Sequence, residues 1–356
     1  MRISRKGKTG CALVLAALVG LTGVSMQQTY AADGIDVNKN DCSITVSVSI
    51  GKGGDTHGND KYVEDFNEMN IHIDLYRVAD VDVTGQKYIS IAPFENVNLT
   101  DISSATTADE WLAKAAEASK EENLEKATPV NAVTASGEAK FENLTPGMYL
   151  VVPQETFNTD YTVKYTFTPY LTALPGNEYA LTGAGSDEWI YDTEIGLKPE
   201  AEPQFGKLNI RKRLQNYNDT LGQTTFVFQA EAVDEAGELL YDAENKPVYS
   251  EVVSTTHAGL AEETVTLEHI PAGVTVRVTE VYSGASYEGV GDTVQEVLIW
   301  SDAAEGQTVN GQTIETAEVS FENRYDGGNR GGYGVTNEFT NGNAGWEWTS
   351  GPAQED

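Results

Sequence analysis

The chain has 356 residues, and its 55 acidic against 23 basic side chains give a formal net charge of −32 at neutral pH. So large an acidic excess excludes nucleic acid and anionic membrane surfaces as partners, because both are bound through clustered Lys and Arg. Two cysteines, Cys11 and Cys42, exclude a disulfide framework, and the dispersed His57, His72, His257 and His269 show no metal-ligand spacing.

Arg2, Arg5, Lys6 and Lys8 precede an apolar run from Cys11 to Val24, followed by Thr29-Tyr30-Ala31. A basic segment, a short apolar segment and a small-residue cleavage site predict a secretory signal over residues 1–31. The run is short for a membrane span, and Thr9-Gly10 before Cys11 lacks the apolar context of a lipoprotein site. Removing the signal leaves 19 basic and 55 acidic residues, a formal charge of −36, and Cys42 as the one remaining cysteine. An exported protein without disulfides must be held by core packing or by another crosslink. Cys42 reads as a small core residue of the first strand. A reactive thiol or internal thioester is the alternative, for which no glutamine partner signature is found.

From there the texture is β, with alternating Val, Ile, Thr and Tyr between Gly, Asn and Asp turns. Strands are predicted over residues 43–50 and 71–78. The glycines of Gly51-Lys52-Gly53-Gly54 precede no helix, so they form no phosphate cradle. Thr107-Ala108-Asp109-Glu110 has capping-box spacing, and the Ala-, Leu-, Lys- and Glu-rich stretch from Trp111 to about Lys126 predicts one helix covering a sheet. Residues 141–152 read as a turn and strand, with Leu144-Thr145-Pro146-Gly147 at the bend.

Phe167-Thr168-Pro169-Tyr170-Leu171, Leu174-Pro175, Trp189-Ile190-Tyr191-Asp192 and Lys198 resemble the N-terminal domain of sortase-assembled pilins. In that family a Trp opens a WxxxVxVYPK motif whose lysine joins subunits. Lys198 stands at the matching nine-residue offset from Trp189, and Ile195 at an aliphatic position, while Thr193, Gly196 and Leu197 depart from the pattern. The resemblance implies Lys198 as an intersubunit linkage. Alternation puts Trp189, Tyr191, Ile195 and Leu197 on one face and turns Lys198 outward. An ordinary surface lysine before Pro199 is the other reading.

Glu200-Ala201-Glu202-Pro203-Gln204 is polar and proline-marked and places a domain boundary. In Lys207-Leu208-Asn209-Ile210-Arg211-Lys212-Arg213-Leu214, Leu208, Ile210 and Leu214 share one strand face with Lys212. Glu280 continues the inward valines of Val274-Thr275-Val276-Arg277-Val278-Thr279-Glu280. Asn323 falls among the inward Val319, Phe321 and Tyr325. A lysine alone would read as a frayed strand end snorkelling to water. Three core-phase polar residues on three strands ask for a joint account. Desolvation leaves an amine neutral and nucleophilic, and disfavours the ionised form of a carboxyl. Such a pair can polarise an Asn carboxamide and relay protons while ammonia leaves.

GKLNIRKRL, IPAGVTVRVTEV and VSFENRY resemble the first, Glu-bearing and last strands of collagen-adhesin B-type (Cna-B) domains of Gram-positive pilins and adhesins. The resemblance implies Lys212 and Asn323 as isopeptide partners and Glu280 as the catalytic acid. A buried polar triad without a bond is the alternative. Asp326-Gly327-Gly328-Asn329-Arg330-Gly331-Gly332 reads as a linker, and the remaining tail, with Val335-Thr336-Asn337-Glu338-Phe339 and Trp346-Glu347-Trp348, as mostly loose, one more strand being the alternative. The last residues, Gly351 to Asp356, carry no LPxTG-like signal, apolar span or basic tail, which argues against acylation of this end by a sortase in the usual way.

Calcium-loop, nucleotide-loop and serine-elbow patterns do not occur. The fold expected is all-β: two tandem immunoglobulin-like or prealbumin-like β-sandwich domains, the first with a helical insertion. The division is signal 1–31, pilin-like domain 32–200, Cna-B-type domain 201–326 and Gly-rich tail 327–356. The expected function is that of an extracellular, cell-surface or pilus-type structural subunit, not an enzyme, with no cofactor, no metal and no membrane span after signal cleavage. Its partners would be other pilin subunits and a sortase. The rival is a secreted adhesin whose first domain binds a carbohydrate or host protein in a groove lined by Trp111, Tyr161 or Tyr170. A secreted hydrolase would need titratable groups converging in a cleft.

Overall fold

The computed structural model describes residues 34–51, 54, 56–177, 186–328, 335–342 and 345–352. The signal segment lies outside them. The chain is all-β with a few short helices and divides into two compact units between Pro203 and Gln204. Among the described residues no helix is long and apolar enough to cross a membrane.

In the first unit, the strand Cys42–Ser47 lies between Glu138–Leu144, antiparallel, and Asp192–Ile195, parallel. A second sheet runs Tyr88–Ser90, His72–Val81, Gly147–Pro153, Tyr170–Leu174, with Val130–Val133 also paired to His72–Val81. Pro199–Pro203 pairs with Val163–Phe167, which pairs with Thr156–Phe157. Ile44, Val46, Val48, Ile73, Leu75, Phe141 and Val151 fill the core between these layers. Cys42 is fully buried there with a free thiol, whose pKa burial pushes up.

The helix differs from the expected one. Thr107 caps Ala108–Ala118 through a capping box, its Oγ1 accepting from the Glu110 amide while its own amide donates to Glu110 Oε2. The helix then stops at Ser119. Lys120 turns extended and a separate short helix, Glu121–Leu124, begins. Asn123 accounts for the break: its buried amide donates to the Glu117 and Ala118 carbonyls, satisfying the helix end that a continuous helix would have satisfied itself. A further short helix, Val63–Glu68, buries Phe66, which the sequence did not announce.

The second unit is a sandwich of two four-stranded sheets. One runs Glu263–Pro271, Phe205–Leu214, Ala317–Tyr325, Tyr287–Val290; the other Ser250–His257, Thr224–Val233, Thr275–Tyr282, Val294–Leu298. First and last strands of the sandwich are therefore neighbours, and they run parallel from Leu208↔Ala317 to Leu214↔Asn323. Gly206, second in the first strand, stands where only a glycine fits, since a Cβ there would lie 1.8 Å from the Trp300 carbonyl oxygen. Leu208, Ile210, Phe226, Phe228, Val276, Val278, Val319 and Phe321 interdigitate between the sheets. On the solvent face Arg211 pairs with Glu318 at 2.7 Å and Arg213 with Glu322 at 2.8 Å.

The stretch expected to be loose carries a hairpin instead. Val335–Gly342 and Gly345–Pro352 are antiparallel, in register from Val335↔Pro352 to Gly342↔Gly345. Asn, Gly and Pro interrupt its two eight-residue runs, which dilutes the period-two signal that the backbone ladder follows.

Candidate functional site

The second unit's core holds a lysine, a glutamate and an asparagine at one point. Lys212 lies opposite Phe321 and Asn323 opposite Leu214, so the two are diagonal neighbours on the inner face of adjacent parallel strands. Glu280 arrives from the facing sheet. Its strand carries a bulge where Phe228 pairs with Glu280 but Val227 pairs with Tyr282, so Glu280 is the last side chain turned inward before Val281 and Tyr282 are exposed. Lys212 and Asn323 are 0% exposed, and the Glu280 side chain 1%.

The contacts have a definite direction. Lys212 Nζ donates to Glu280 Oε1 at 2.6 Å and also to Asn323 Oδ1. Asn323 Nδ2 donates to Glu280 Oε2 at 3.1 Å and to the Ser283 carbonyl at 3.3 Å. One carboxyl thus touches both nitrogens, one through each oxygen. Aromatic rings close the rest: Nζ stands 4.3 Å from the centroid of Phe226 and 5.9 Å from that of Phe228. His257 and Tyr287 pack edge-on against Phe226 at 5.4 and 5.7 Å. Burial pulls the Lys212 pKa below the usual lysine range, against an opposing pull from Glu280. The His257 imidazole is likewise pushed down by burial, which keeps it neutral and without a competing charge at neutral pH.

Such a site suits acyl transfer between two side chains. A neutral amine is a nucleophile, a carboxamide carbon is an electrophile, and a shared carboxyl can take a proton from the entering nitrogen and give one to the leaving nitrogen. Excluding water removes the competing nucleophile. Phe226 and Phe228 were not singled out from the sequence, although their alternation in Thr224-Thr225-Phe226-Val227-Phe228 places them inward. The Ser283 carbonyl had no sequence signal, being backbone.

Lys198 lies in the first unit. Leu197 before it is buried, and Pro199 after it opens the strand paired with Phe167. The lysine is half-buried rather than turned fully outward, its Nζ 5.8 Å from the centroid of Tyr170. The aromatics proposed to line a groove are dispersed among other contacts. Trp111 packs partly buried against the core beneath the helix, Tyr161 stacks on Phe157 at 5.3 Å, and Tyr170 sits under Lys198. An open depression of about 290 Å³ beside the helix is lined by Val97, Asn98, Asp101, Thr106, Glu110 and Lys114, among others, and by none of those three rings. Among the described residues no cluster of His, Cys, Asp and Glu is arranged to hold a metal ion.

A domain family of unknown function (DUF5979) matches residues 208–326, the segment that carries all three buried polar residues. No curated protein sequence matches the chain. Similar solved structures include GBS52, the minor pilin of Streptococcus agalactiae, at 12% identity over 80% of this chain and 96% of that one, with a TM-score of 0.23. The full-length major pilin SpaD of Corynebacterium diphtheriae is similar at 12% identity over 82% and 99% of the two chains, with a TM-score of 0.27. The TIE protein of Bacillus anthracis is similar at 12% identity over 88% of this chain and 44% of that one, with a TM-score of 0.31. At these levels the functional reading rests on the residues of this chain.

Proposed function

We propose that the protein is an exported structural subunit of the cell surface or of a pilus-type fibre, whose second unit seals itself with an amide bond between Lys212 and Asn323. Cleavage of residues 1–31 would release the two units and the C-terminal hairpin outside the cell. Lys212 passes a proton to Glu280, and its free amine attacks the Asn323 Cγ. The Cγ–Nδ2 bond breaks as Glu280 returns a proton to Nδ2, so the products are the amide, ammonium and the regenerated carboxylate. Each atom is accounted for without oxidant, water or cofactor. Glu280 acts once, on its own chain, so the reaction is maturation rather than turnover. The observation that carries this reading is the single carboxyl that spans both the entering and the leaving nitrogen inside a closed, aromatic-walled site.

Intact-mass measurement of the mature protein tests it. The wild type is expected about 17 Da lighter than its sequence mass, the loss of one ammonia. Glu280→Ala and Asn323→Ala are expected to restore the full mass. A wild type at full mass would leave the triad as a buried hydrogen-bonded cluster only.

In the first unit, Lys198 is the amine that accepts a neighbouring subunit, delivered by a sortase-type transpeptidase. Its half-burial beside the strand Pro199–Pro203 and its freedom from any ion pair among the described residues support the role. Lys198→Ala is expected to remove the high-mass ladder that covalent fibres leave on denaturing gels. A ladder unchanged by that substitution would assign the linkage to another residue.

A further inference from the structure

Among the described lysines without an ion pair, Lys61, Lys87, Lys126 and Lys246 are exposed and Lys198 alone is half-buried. Lys39, Lys114, Lys120, Lys140 and Lys164 each pair with a carboxylate within 3 Å. In so acidic a chain that is the ordinary fate of a lysine. Lys198 has no such partner among the described residues, and burial alone acts on its amine, pulling its pKa below the usual lysine range.

What holds it there is a clamp on three consecutive residues. Tyr170 Oη donates to the Gly196 carbonyl at 2.6 Å. On the same residue His57 presses so closely that a Cβ at Gly196 would lie 2.8 Å from the His57 ring and its Cβ. Leu197 is anchored in the core. The Lys198 carbonyl accepts from the Thr168 amide at 3.3 Å. The lysine amine is thereby held over Tyr170, whose phenol burial keeps neutral and available as a donor. At 5.8 Å the ring is near the outer limit, about 6 Å, at which a π face attracts an ammonium, so removal of water prevails. The other titratable groups around the segment are engaged elsewhere or turned away. Glu194 lies 3.8 Å from His57, Lys164 pairs with Glu155, and Glu200 is exposed on the following strand.

We propose that Tyr170 is the positioning residue of Lys198: its hydroxyl ties down the Gly196 carbonyl and its ring lies under the lysine amine, presenting a counterion-free amine to an acyl thioester. This rests on the reading of Lys198 as the subunit acceptor. In the step it serves, the amine attacks the thioester carbonyl, the C–S bond breaks, the sulfur leaves as thiolate, and the amine's surplus proton passes to that thiolate or to solvent. Carbonyl and amine end as an amide.

The test is competitive acetylation of the whole mature protein with trace acetic anhydride over a pH series, read lysine by lysine by mass spectrometry, and repeated with a small acyl thioester. Exposed Lys126 is the internal reference and Lys164 monitors the fold of the first unit. In the wild type, Lys198 is expected to reach half-labelling at a lower pH than Lys126. Tyr170→Leu should move that midpoint up to the reference with Lys164 unchanged. Tyr170→Phe keeps the ring and loses the tether, so the midpoint should stay while thioester acylation slows severalfold. An unmoved midpoint in a folded Tyr170→Leu protein overturns the proposal. So does a Tyr170→Phe protein acylated as fast as the wild type, which decides the matter where the leucine variant does not fold. Gel ladders report separately: a ladder lost in Lys198→Ala while Lys198 titrates like Lys126 keeps the linkage and removes Tyr170 from it.

Discussion

Glu280→Ala is expected to destabilise the second unit more than Asn323→Ala, and Asn323→Ala more than Lys212→Met, although all three would abolish the same proposed bond. The shared loss is the crosslink. Closing a segment of 111 residues restricts the unfolded chain by roughly 4–5 kcal/mol, taking disulfide loop closure as the measure. The remainder depends on what each variant leaves behind. Lys212→Met removes the buried amine and puts an apolar stem of similar length between Phe226 and Phe228, while Glu280 and Asn323 keep their mutual hydrogen bond. Asn323→Ala leaves the Lys212–Glu280 pair intact beside a small cavity. Glu280→Ala strands the amine without a carboxylate, which adds about 3–5 kcal/mol as long as the amine is charged. Denaturant unfolding of the mature protein and its three variants measures the order. Lys212→Met unfolding at the wild-type denaturant concentration would mean that no covalent link contributes.

A pH dependence separates the last variant from the others. Burial holds the Lys212 pKa below its unfolded value of 10.5. The unfolded chain then binds more protons than the folded one between those two values, so stability rises with pH across that window. Below the folded pKa the penalty is present in full. In Glu280→Ala the opposing pull of the carboxylate is gone, which lowers the folded value further and widens the window. A wild type sealed by the proposed amide would have nothing at Lys212 to titrate.

The burial of these residues was legible in the sequence because strand alternation is strict. In Phe205–Leu214 the even positions are buried without exception, from Gly206 and Leu208 to Lys212 and Leu214, so a polar residue in phase must go inside. Alternation says nothing about which strand lies beside which. That Phe205–Leu214 and Ala317–Tyr325 are adjacent and parallel, and that a bulge at Val281 makes Glu280 the last inward side chain, follow from packing between distant segments. Short elements were the least visible. Val63–Glu68 is six residues long and buries one side chain, too few to establish a helical period. The break after Ala118 depends on the Asn123 side chain bonding back to the Glu117 and Ala118 carbonyls, where Ala and Glu propensities alone favour continuation. Around Lys198 alternation placed Leu197 inward, as found, but did not give the half-burial of the lysine, which lies between two strands where no pleat fixes its side chain.

Pulled from its ends, the second unit is expected to release almost no chain between Lys212 and Asn323. The two residues sit on neighbouring strands at the start and the end of the sandwich, so with the bond in place load entering Phe205–Leu214 passes through the Lys212 side chain into Ala317–Tyr325. The intervening strands are bypassed and their ladders are never loaded. Without the bond, parallel strands pulled in opposite directions are held by main-chain hydrogen bonds and by exposed pairs such as Arg211–Glu318, each of small worth in water. An extended chain spans about 3.4 Å per residue, so freeing the 111-residue separation would add roughly 370 Å of contour length. Single-molecule pulling through tethers at the two ends of the mature chain should show a step of that size in Lys212→Met and in Asn323→Ala, and none in the wild type. Lys212→Met is the decisive comparison, since it keeps an apolar stem between Phe226 and Phe228 while removing the covalent route. A wild-type trace with the full step would mean that the amine, the acid and the amide share a pocket without sharing a bond, and that the load is carried by the sheet alone.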